Sequence, residues 1–313
     1  MSVHWPILKT CLSRRRQTLL SDDRRTYTGR DLLGGALYIA QLIEERSSSP
    51  VVGGLLPTSG ATAMAALGAW LAGRAFCPFN FLLTPDELDY VIRDSETDLL
   101  LTSDLLLQAT GHDPRGPSVV KLEDVSFKGF PPLRWPAVRG EDDLAVLLYT
   151  SGTSGRPKGV MLSHGNLSSN VRQCVEHVHF TPDDTLLGVL PQFHSFGLTV
   201  LTLLPMTVGC GAVYSARFVP QQIVRMFRKH RPTVFVGIPS MYNAMLSVKS
   251  AKAEDFASVR IAVSGGEPLP DDVAKRFKER FGVTIAEGYG LTETAPVSNM
   301  CCPTEYRPHT VGR

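Results

Sequence analysis

The sequence predicts an α/β protein made of two successive subdomains, residues 1–180 and 181–313, each a mainly parallel sheet covered by helices. Two observations carry this. Short apolar runs alternate with amphipathic ones along the chain, a βαβα rhythm. The second half repeats the alternation from about residue 181. The apolar fraction of 43% and charged fraction of 20% support a packed core and exclude a disordered chain.

Taken in order, "VVGGLLP" (51–57) reads as a strand, "GATAMAALGAWLAG" (60–73) as a small-residue helix, and "AFCPFN" (75–80) as a strand. "TPDELDYVIRDS" (84–95) carries a Thr cap, Pro at the first helical position and acids in the first turn, the start signals of a helix. "TDLLLTS" (97–103) is strand-like. Residues 108–142 hold Pro114, Pro117, Pro131, Pro132 and Pro136 and read as an irregular connection with room for one strand. "DLAVLLYT" (143–150) is a buried strand, and "NLSSNVRQCVEHVHF" (166–180) a helix. Strands follow at 185–190, 211–215, 233–238, 259–264 and 283–287, with helices near 196–208, 221–230, 240–249 and 271–281. The last helix has acids first, bases last and Gly282 as its stop.

A formal charge of +2 gives no electrostatic case for nucleic acid. The run Arg14-Arg15-Arg16 is soon followed by Asp22 and Asp23 and reads as a solvated face. Cysteines 11, 77, 174, 210, 301 and 302 form no C-x-x-C pair and no metal spacing, which fits a reducing compartment. Residues 185–216 lack any Asp, Glu, Lys or Arg, long enough for a membrane span. Pro191, Pro205 and glycines 188, 197, 209 and 211 break that run into strand, loop and helix, so a core segment is expected instead.

Four stretches carry the chemistry. "YTSGTSGRPKGV" (149–160) gathers hydroxyls, glycines and Lys158, a composition suited to phosphate. It is not a Walker loop, because Pro157 precedes the lysine and Gly159 follows it; a kinase reading is therefore weak. "LPQFHSFG" (190–197) sets His194 between two phenylalanines at a strand end. "SGGEPLP" (264–270) ends another strand with glycines that admit close backbone approach to a ligand. "EGYGLTET" (287–294) ends a third with Tyr289, Thr292 and Glu293. Ligands of parallel sheets sit outside the carboxyl ends of strands, where all four stretches fall. Each alone has a plainer reading: a flexible turn, a core histidine, a packing tyrosine.

Together, in this order and spacing, they resemble the signature motifs of adenylate-forming enzymes, the superfamily of acyl-CoA synthetases, adenylation domains and luciferases. "LLPTSGATAMAALGAWLAGRAFCPFNFLLTPDELDYVIRDSETDLLLTS" resembles that family's N-terminal region, and the tail "EGYGLTETAPVSNMCCPTEYRPHTVGR" resembles bacterial long-chain fatty-acyl ligases, including acyl–acyl-carrier-protein synthetases. The resemblance implies ATP-dependent activation of a carboxylic acid to an acyl-adenylate, then transfer to a thiol of CoA or of a phosphopantetheine arm on an acyl-carrier protein. It implies Thr150, Ser151, Gly152, Thr153, Ser154, Gly155 and Lys158 around the β- and γ-phosphates. Gly265, Gly266, Glu267, Pro268, Glu287, Gly288, Tyr289 and Gly290 would surround adenine, and Thr292 would touch the α-phosphate. His194, Lys158, Thr292 and Glu293 would be the catalytic set. Glu293 would hold Mg²⁺, the firmest of these assignments because a carboxylate beside phosphates is costly without a metal. His194, Phe196, Gly197, Gly237 and Tyr242 would line the acyl site.

The "FHSFGLTV" form and the uncharged helix after it resemble fatty-acyl members, so a medium- or long-chain fatty acid is the expected substrate. An aryl- or amino-acid ligase, and a non-catalytic nucleotide- or acyl-binding module, remain as alternatives. No nucleic-acid partner and no spanning segment are expected. The protein is expected in the cytoplasm, with a substrate that leaves room for peripheral contact at the inner membrane face. The family's downstream ribose-binding Asp, hinge and lysine-bearing small domain are not among these 313 residues, from which the resemblance implies little turnover by this stretch alone.

Overall fold

A computed structural model describes residues 2–111, 114–127, 129, 131, 134–150, 156–302 and 305–312. The helices are α1 His4–Ser13, α2 Gly29–Arg46, α3 Gly60–Leu71, α4 Pro85–Asp94, α5 Asp104–Thr110, α6 His164–Val178, α7 Ser195–Leu198, α8 Leu204–Val208, α9 Pro220–His230, α10 Pro239–Leu246 and α11 Asp271–Phe281. The strands are β1 Thr18–Ser21, β2 Thr26–Thr28, β3 Val51–Gly54, β4 Ala75–Pro78, β5 Leu99–Thr102, β6 Ser118–Lys121, β7 Leu144–Thr150, β8 Lys158–Ser163, β9 Thr185–Gly188, β10 Gly211–Tyr214, β11 Val234–Gly237, β12 Ile261–Ser264, β13 Ala286–Gly290 and β14 Val297–Met300.

Among the described residues the strands form two sheets, in the orders β6-β5-β3-β4-β7-β8 and β14-β13-β12-β11-β9-β10-β1-β2. Pairing is parallel except at the edges, where β7/β8, β1/β2 and β13/β14 run antiparallel. The sheets do not follow the 1–180 boundary at the N-terminus. β1 pairs with β10, Leu20 against Ala212 and Ser21 against Val213, so residues 18–28 belong to the second sheet. This partnership is nonlocal, and no periodicity in a four-residue strand announces it.

The layers run helix, sheet, helix, sheet, helix. Val51, Ala75, Cys77 and Leu100 of the first sheet pack outward on Leu88, Val91 and Ile92 of α4. Phe235, Ala262 and Leu187 of the second pack outward on Phe227 of α9, Tyr242 of α10 and Phe277 of α11. The inner faces of both sheets share one core with α1, α2, α3 and α6. α3 is buried on every side, which explains its small residues. A Cβ at Gly68 would meet Ile39, and one at Gly35 would collide with the Met64 sulfur, so these glycines set how closely α2 and α3 approach. The anticipated caps form: Thr84 and Glu87 close a capping box on α4, and Gly282 ends α11 with φ +73°.

The charge-free run 185–216 becomes β9, α7, five residues of π-helix at Thr199–Leu203, α8 and β10; most of its apolar side chains join the shared core, while Leu187, Val189 and Val213 face the outer one. No helix among the described residues is long and apolar enough to cross a membrane. At the opposite end of the sheet, buried Asp184 accepts from Arg260 Nε at 2.7 Å, the Thr233 hydroxyl at 2.6 Å and the Thr181 N–H at 2.9 Å. Burial alone would raise its pKa; these donors hold it below the usual carboxylate range. One carboxylate thereby joins the starts of β9, β11 and β12.

His4 and His164 are both buried, their rings 5.9 Å apart. Burial lowers the pKa of each to about 4; each ring also faces cationic character, His4 from His164 and His164 from Arg139, with Asp143 opposing. Unfolded histidine binds a proton near pH 6.5, whereas these do not. The folded state should therefore lose stability as pH falls from about 6.5 toward 4. Denaturant titrations across that window should show the loss, and a His4→Phe variant should show a shallower one.

Candidate active site

The parallel strands β9, β11, β12 and β13 release their chains on the same side of the second sheet. A cavity of about 290 Å³ opens there, lined by Pro191, His194, Phe196, Ile238, Gly265, Gly266, Gly288, Tyr289, Gly290 and Thr292 near the strand ends. Its interior continues along the sheet between Val236, Ile261 and Val263 on one side and Cys174, Phe180 and Met300 on the other. Ile261 starts β12 and Gly265 follows it, a span of roughly 13 Å at strand rise.

The glycines shape the opening. A Cβ on Gly265 would press on the Phe196 ring at 3.0 Å, and one on Gly290 would run into the Pro296 carbonyl. Gly266 has φ +83°, which turns the chain away directly after β12. The Gly265 N–H donates to the Gly237 carbonyl at 3.1 Å, fixing this corner to the end of β11.

His194 caps the entry to α7, its N–H donating to Pro191 O at 3.1 Å and its ring 4.6 Å from that of Phe193. Phe193 in turn meets Phe81 edge-on at 4.8 Å. The imidazole is open to solvent at the mouth and backed by packed protein, and the partial desolvation lowers its pKa. The next residue, Ser195, had no assigned role in the sequence. Its Oγ lies 3.4 Å from Thr292 Oγ1 and so joins the β9 and β13 loops. Its adjacency to His194 in "FHSFG" was the available signal. Tyr289 is 49% exposed, leaving a ring face free beside the opening.

The phosphate-type hairpin comes from the first sheet. Thr150 and Lys158 are register partners across β7 and β8, at the two ends of the connecting loop. Ser151, Gly152, Thr153, Ser154 and Gly155 lie outside the described residues. The hairpin base is braced by the Tyr149 hydroxyl, which donates to Asp94 Oδ2 at 2.7 Å, and by Arg156 over the Tyr90 ring at 5.7 Å. Burial, then the Asp94 carboxylate, push the Tyr149 pKa upward, so it stays a donor.

Glu293 is exposed and lies outside the cavity. It borders a separate polar depression with Ser163, Asn166, Asn170, Glu141 and Asp142, where the two sheets meet. Asn170 of α6 joins them: its amide donates to Val297 O at 2.7 Å and accepts from Val297 N–H at 3.2 Å. Its partner is 127 residues away, so sequence reading had no means to single it out. Among the described residues no group of three His, Cys, Asp or Glu side chains converges to hold a metal. A carboxylate such as Glu293 suits a hard cation that takes its other oxygens from phosphate and water.

Six expected site residues occupy other positions. Tyr242 does not line the cavity: it is wholly buried on the far face of the second sheet, its hydroxyl donating to Val263 O at 2.9 Å and Phe235 O at 3.1 Å. The helix it sits on packs away from the site. Gly237 and Gly197 are also absent from the lining; Gly197 is a close-packing position where a Cβ would strike the Pro191 carbonyl. Glu287 turns aside to accept from the Leu269 N–H at 3.2 Å, bracing the loop after β12. Glu267 and Pro268 are exposed on that loop, just outside the cavity wall.

The family model described as "AMP-binding enzyme" matches residues 9–313, and the chain belongs to that family. It is 27% identical to the long-chain-fatty-acid–CoA ligase of Bacillus subtilis (strain 168), over 90% of this chain and 58% of that protein. It is 33% identical to a feruloyl-CoA synthase of Amycolatopsis sp, over 72% of this chain and 45% of the relative. Among solved structures, the anthranilate CoA ligase AuaEII in complex with anthranoyl-AMP superposes with a TM-score of 0.90 at 25% identity, covering all of this chain and 63% of that one. The chain thus spans about half the length of the curated relatives it matches.

Because the Asn170 amide links helix α6 to strand β14, its loss should loosen the cavity wall near Val297. Asn170→Ala should leave two part-buried backbone groups of Val297 without this partner and cost about 1–2 kcal/mol. Denaturant unfolding measures this, and Asn170→Ser should recover only part of it.

Proposed function

We propose that this chain forms the nucleotide- and acyl-binding part of an ATP-dependent acid–thiol ligase, and that its acid is a fatty acid of medium chain length. The carrying observation is one cavity with a glycine-rimmed mouth at the strand ends and an apolar interior. No Asp, Glu, Lys or Arg lines it among the described residues. A second charge on the substrate, as in a dicarboxylate or an amino acid, would be buried there without a partner. The volume of about 290 Å³ is at the lower end for small-molecule sites, which favours a medium tail over a long one. The same volume and the feruloyl-CoA synthase similarity favour an aryl acid as the second reading.

In the proposed reaction a carboxylate oxygen attacks the α-phosphorus of ATP, the bond to the bridging oxygen breaks and pyrophosphate departs. A thiol, from CoA or a carrier phosphopantetheine, then attacks the acyl carbonyl and AMP leaves. Such chemistry needs alignment and charge neutralisation more than a protein nucleophile. Tyr289 would lie against adenine beside Gly265 and Gly266, which admit the ring because they lack side chains. Thr292, steadied by Ser195, would donate to the α-phosphate. Lys158 and Thr150 would hold the departing pyrophosphate, and neutral His194 would orient the carboxylate at the mouth. Glu293 would hold Mg²⁺, which when bound supplies positive charge to the phosphate oxygens.

Calorimetry with non-hydrolysable acyl-sulfamoyl adenosines tests the reading on this chain directly. The decanoyl compound should bind at least tenfold more tightly than the hexadecanoyl and benzoyl ones. Binding of none of them overturns the nucleotide site, and preference for benzoyl selects the aryl reading. Thr292→Ala should weaken binding about tenfold, the worth of one charge-assisted hydrogen bond. Glu293→Ala should remove the Mg²⁺ dependence of ATP binding while leaving metal-free binding unchanged. Cys174 stands in the inner wall, its thiol pushed up to about 11 by burial and so inert. Cys174→Trp should exclude the decanoyl compound while a butanoyl compound still binds.

A further inference from the structure

A second concavity, of about 680 Å³, lies between the end of α1, the β1–β2 turn, α2 and the described residues Phe127, Gly129 and Pro131. Arg15, Arg16, Arg25 and Arg30 stand around it, and Leu33 and Leu37 contribute apolar surface. The backbone bond from Arg30 N–H to Arg15 O, 3.0 Å, brings α1's end and α2's start together and makes the arginines neighbours. The sequence set Asp22 and Asp23 close to this cationic run, but both acids are engaged elsewhere. Asp22 accepts from the N–H groups of Arg24, Arg25 and Gly60 and from the Tyr27 hydroxyl; Asp23 accepts from Ala216 N–H and Gln222. Asp31, the carboxylate on the rim, is taken by the Thr28 N–H and hydroxyl in a capping box. Arg25 lies over the Tyr27 ring at 4.3 Å. Arg15, Arg16 and Arg30 have no side-chain hydrogen bond or ion pair among the described residues, and all three are exposed.

An independent feature lies in the wall. Gly34 is inside an 18-residue helix, where glycine is unfavourable relative to alanine. Packing accounts for its neighbour Gly35, but among the described residues a Cβ on Gly34 would find only Pro131 Cγ, at 4.0 Å. Among the described residues no packing contact requires glycine there, and the missing side chain leaves that part of the concavity open.

We propose that this groove is a binding site for a phosphate-bearing amphiphile, with its phosphate among Arg15, Arg16 and Arg30 and its apolar part along α2 beside Gly34. Guanidinium groups match phosphate oxygens in paired hydrogen bonds, and a concavity of this size suits one small molecule. The site is separate from the strand-end cavity and shares no lining residue with it.

The test uses dioctanoyl phosphatidic acid as dispersed monomer, with dioctanoylglycerol as its phosphate-free counterpart, followed by calorimetry in saturating ATP. The phosphatidic acid should bind and the glycerol lipid should not. Arg15→Glu with Arg16→Glu should weaken binding at least tenfold, and raising salt should weaken it in the parent. Gly34→Leu should weaken it similarly while raising the thermal midpoint, since leucine favours helix; the stability gain separates a filled groove from a misfolded chain. A parallel arm sediments the protein with phosphatidylglycerol vesicles. Vesicle binding that needs the arginines but ignores Gly34→Leu would overturn the groove in favour of general surface attraction. No binding of the monomer, or binding unaffected by either variant, also overturns it.

Discussion

Two sheets share a single layer of helices, and nearly everything else follows from how tightly that layer closes. α3 has no face toward solvent, so it can use only side chains small enough to let α2 approach on one side and strands on the other. Gly35 against Met64 and Gly68 against Ile39 set that distance. Apolar burial at roughly 25 cal/mol per Å² favours the sandwich, but only close packing makes it a unique one. With the inner layer fixed, the first sheet's hairpin and the second sheet's strand ends come to the same rim, each from its own half of the chain.

That convergence is held by polar groups used sparingly. Asn170 exchanges two hydrogen bonds with Val297, Tyr149 ties the hairpin to Asp94, and Ser195 touches Thr292. At the other end of the second sheet Asp184 gathers three strand starts with Arg260. Strand starts are thus clamped by charge, while strand ends are left to glycine and neutral donors. The proposed phosphate ligand would benefit from that asymmetry, because among the described residues no carboxylate lines the cavity.

Much of this was legible from residue order. Apolar runs marked β3, β4, β5, β7, β9 and β11, and the Thr-Pro-acid start of α4 formed as read. The strand-end glycines and His194, Tyr289 and Thr292 do meet in one cavity. What escaped was set by distant partners. β1 and β2 are too short to announce a sheet, and α2 hid behind paired glycines, although Thr28 and Asp31 spelled its capping box. Tyr242 illustrates the opposite error: an apolar helix beside a site motif was read as a wall, but its aromatic ring packs at helical spacing into the outer core. Asn170 and Asp94 look like ordinary surface residues until the fold supplies their partners.

The pairing of Leu20 with Ala212 has a further consequence, for the order in which the molecule can assemble. The N-terminal strand leaves the ribosome long before its partner exists. Until β10 emerges, Leu20 and Ser21 lack their parallel partners. Closing so long a loop comes late and slowly, because its entropy must be met before the contacts reward it. A strand made early therefore waits for one made late before the second sheet can close.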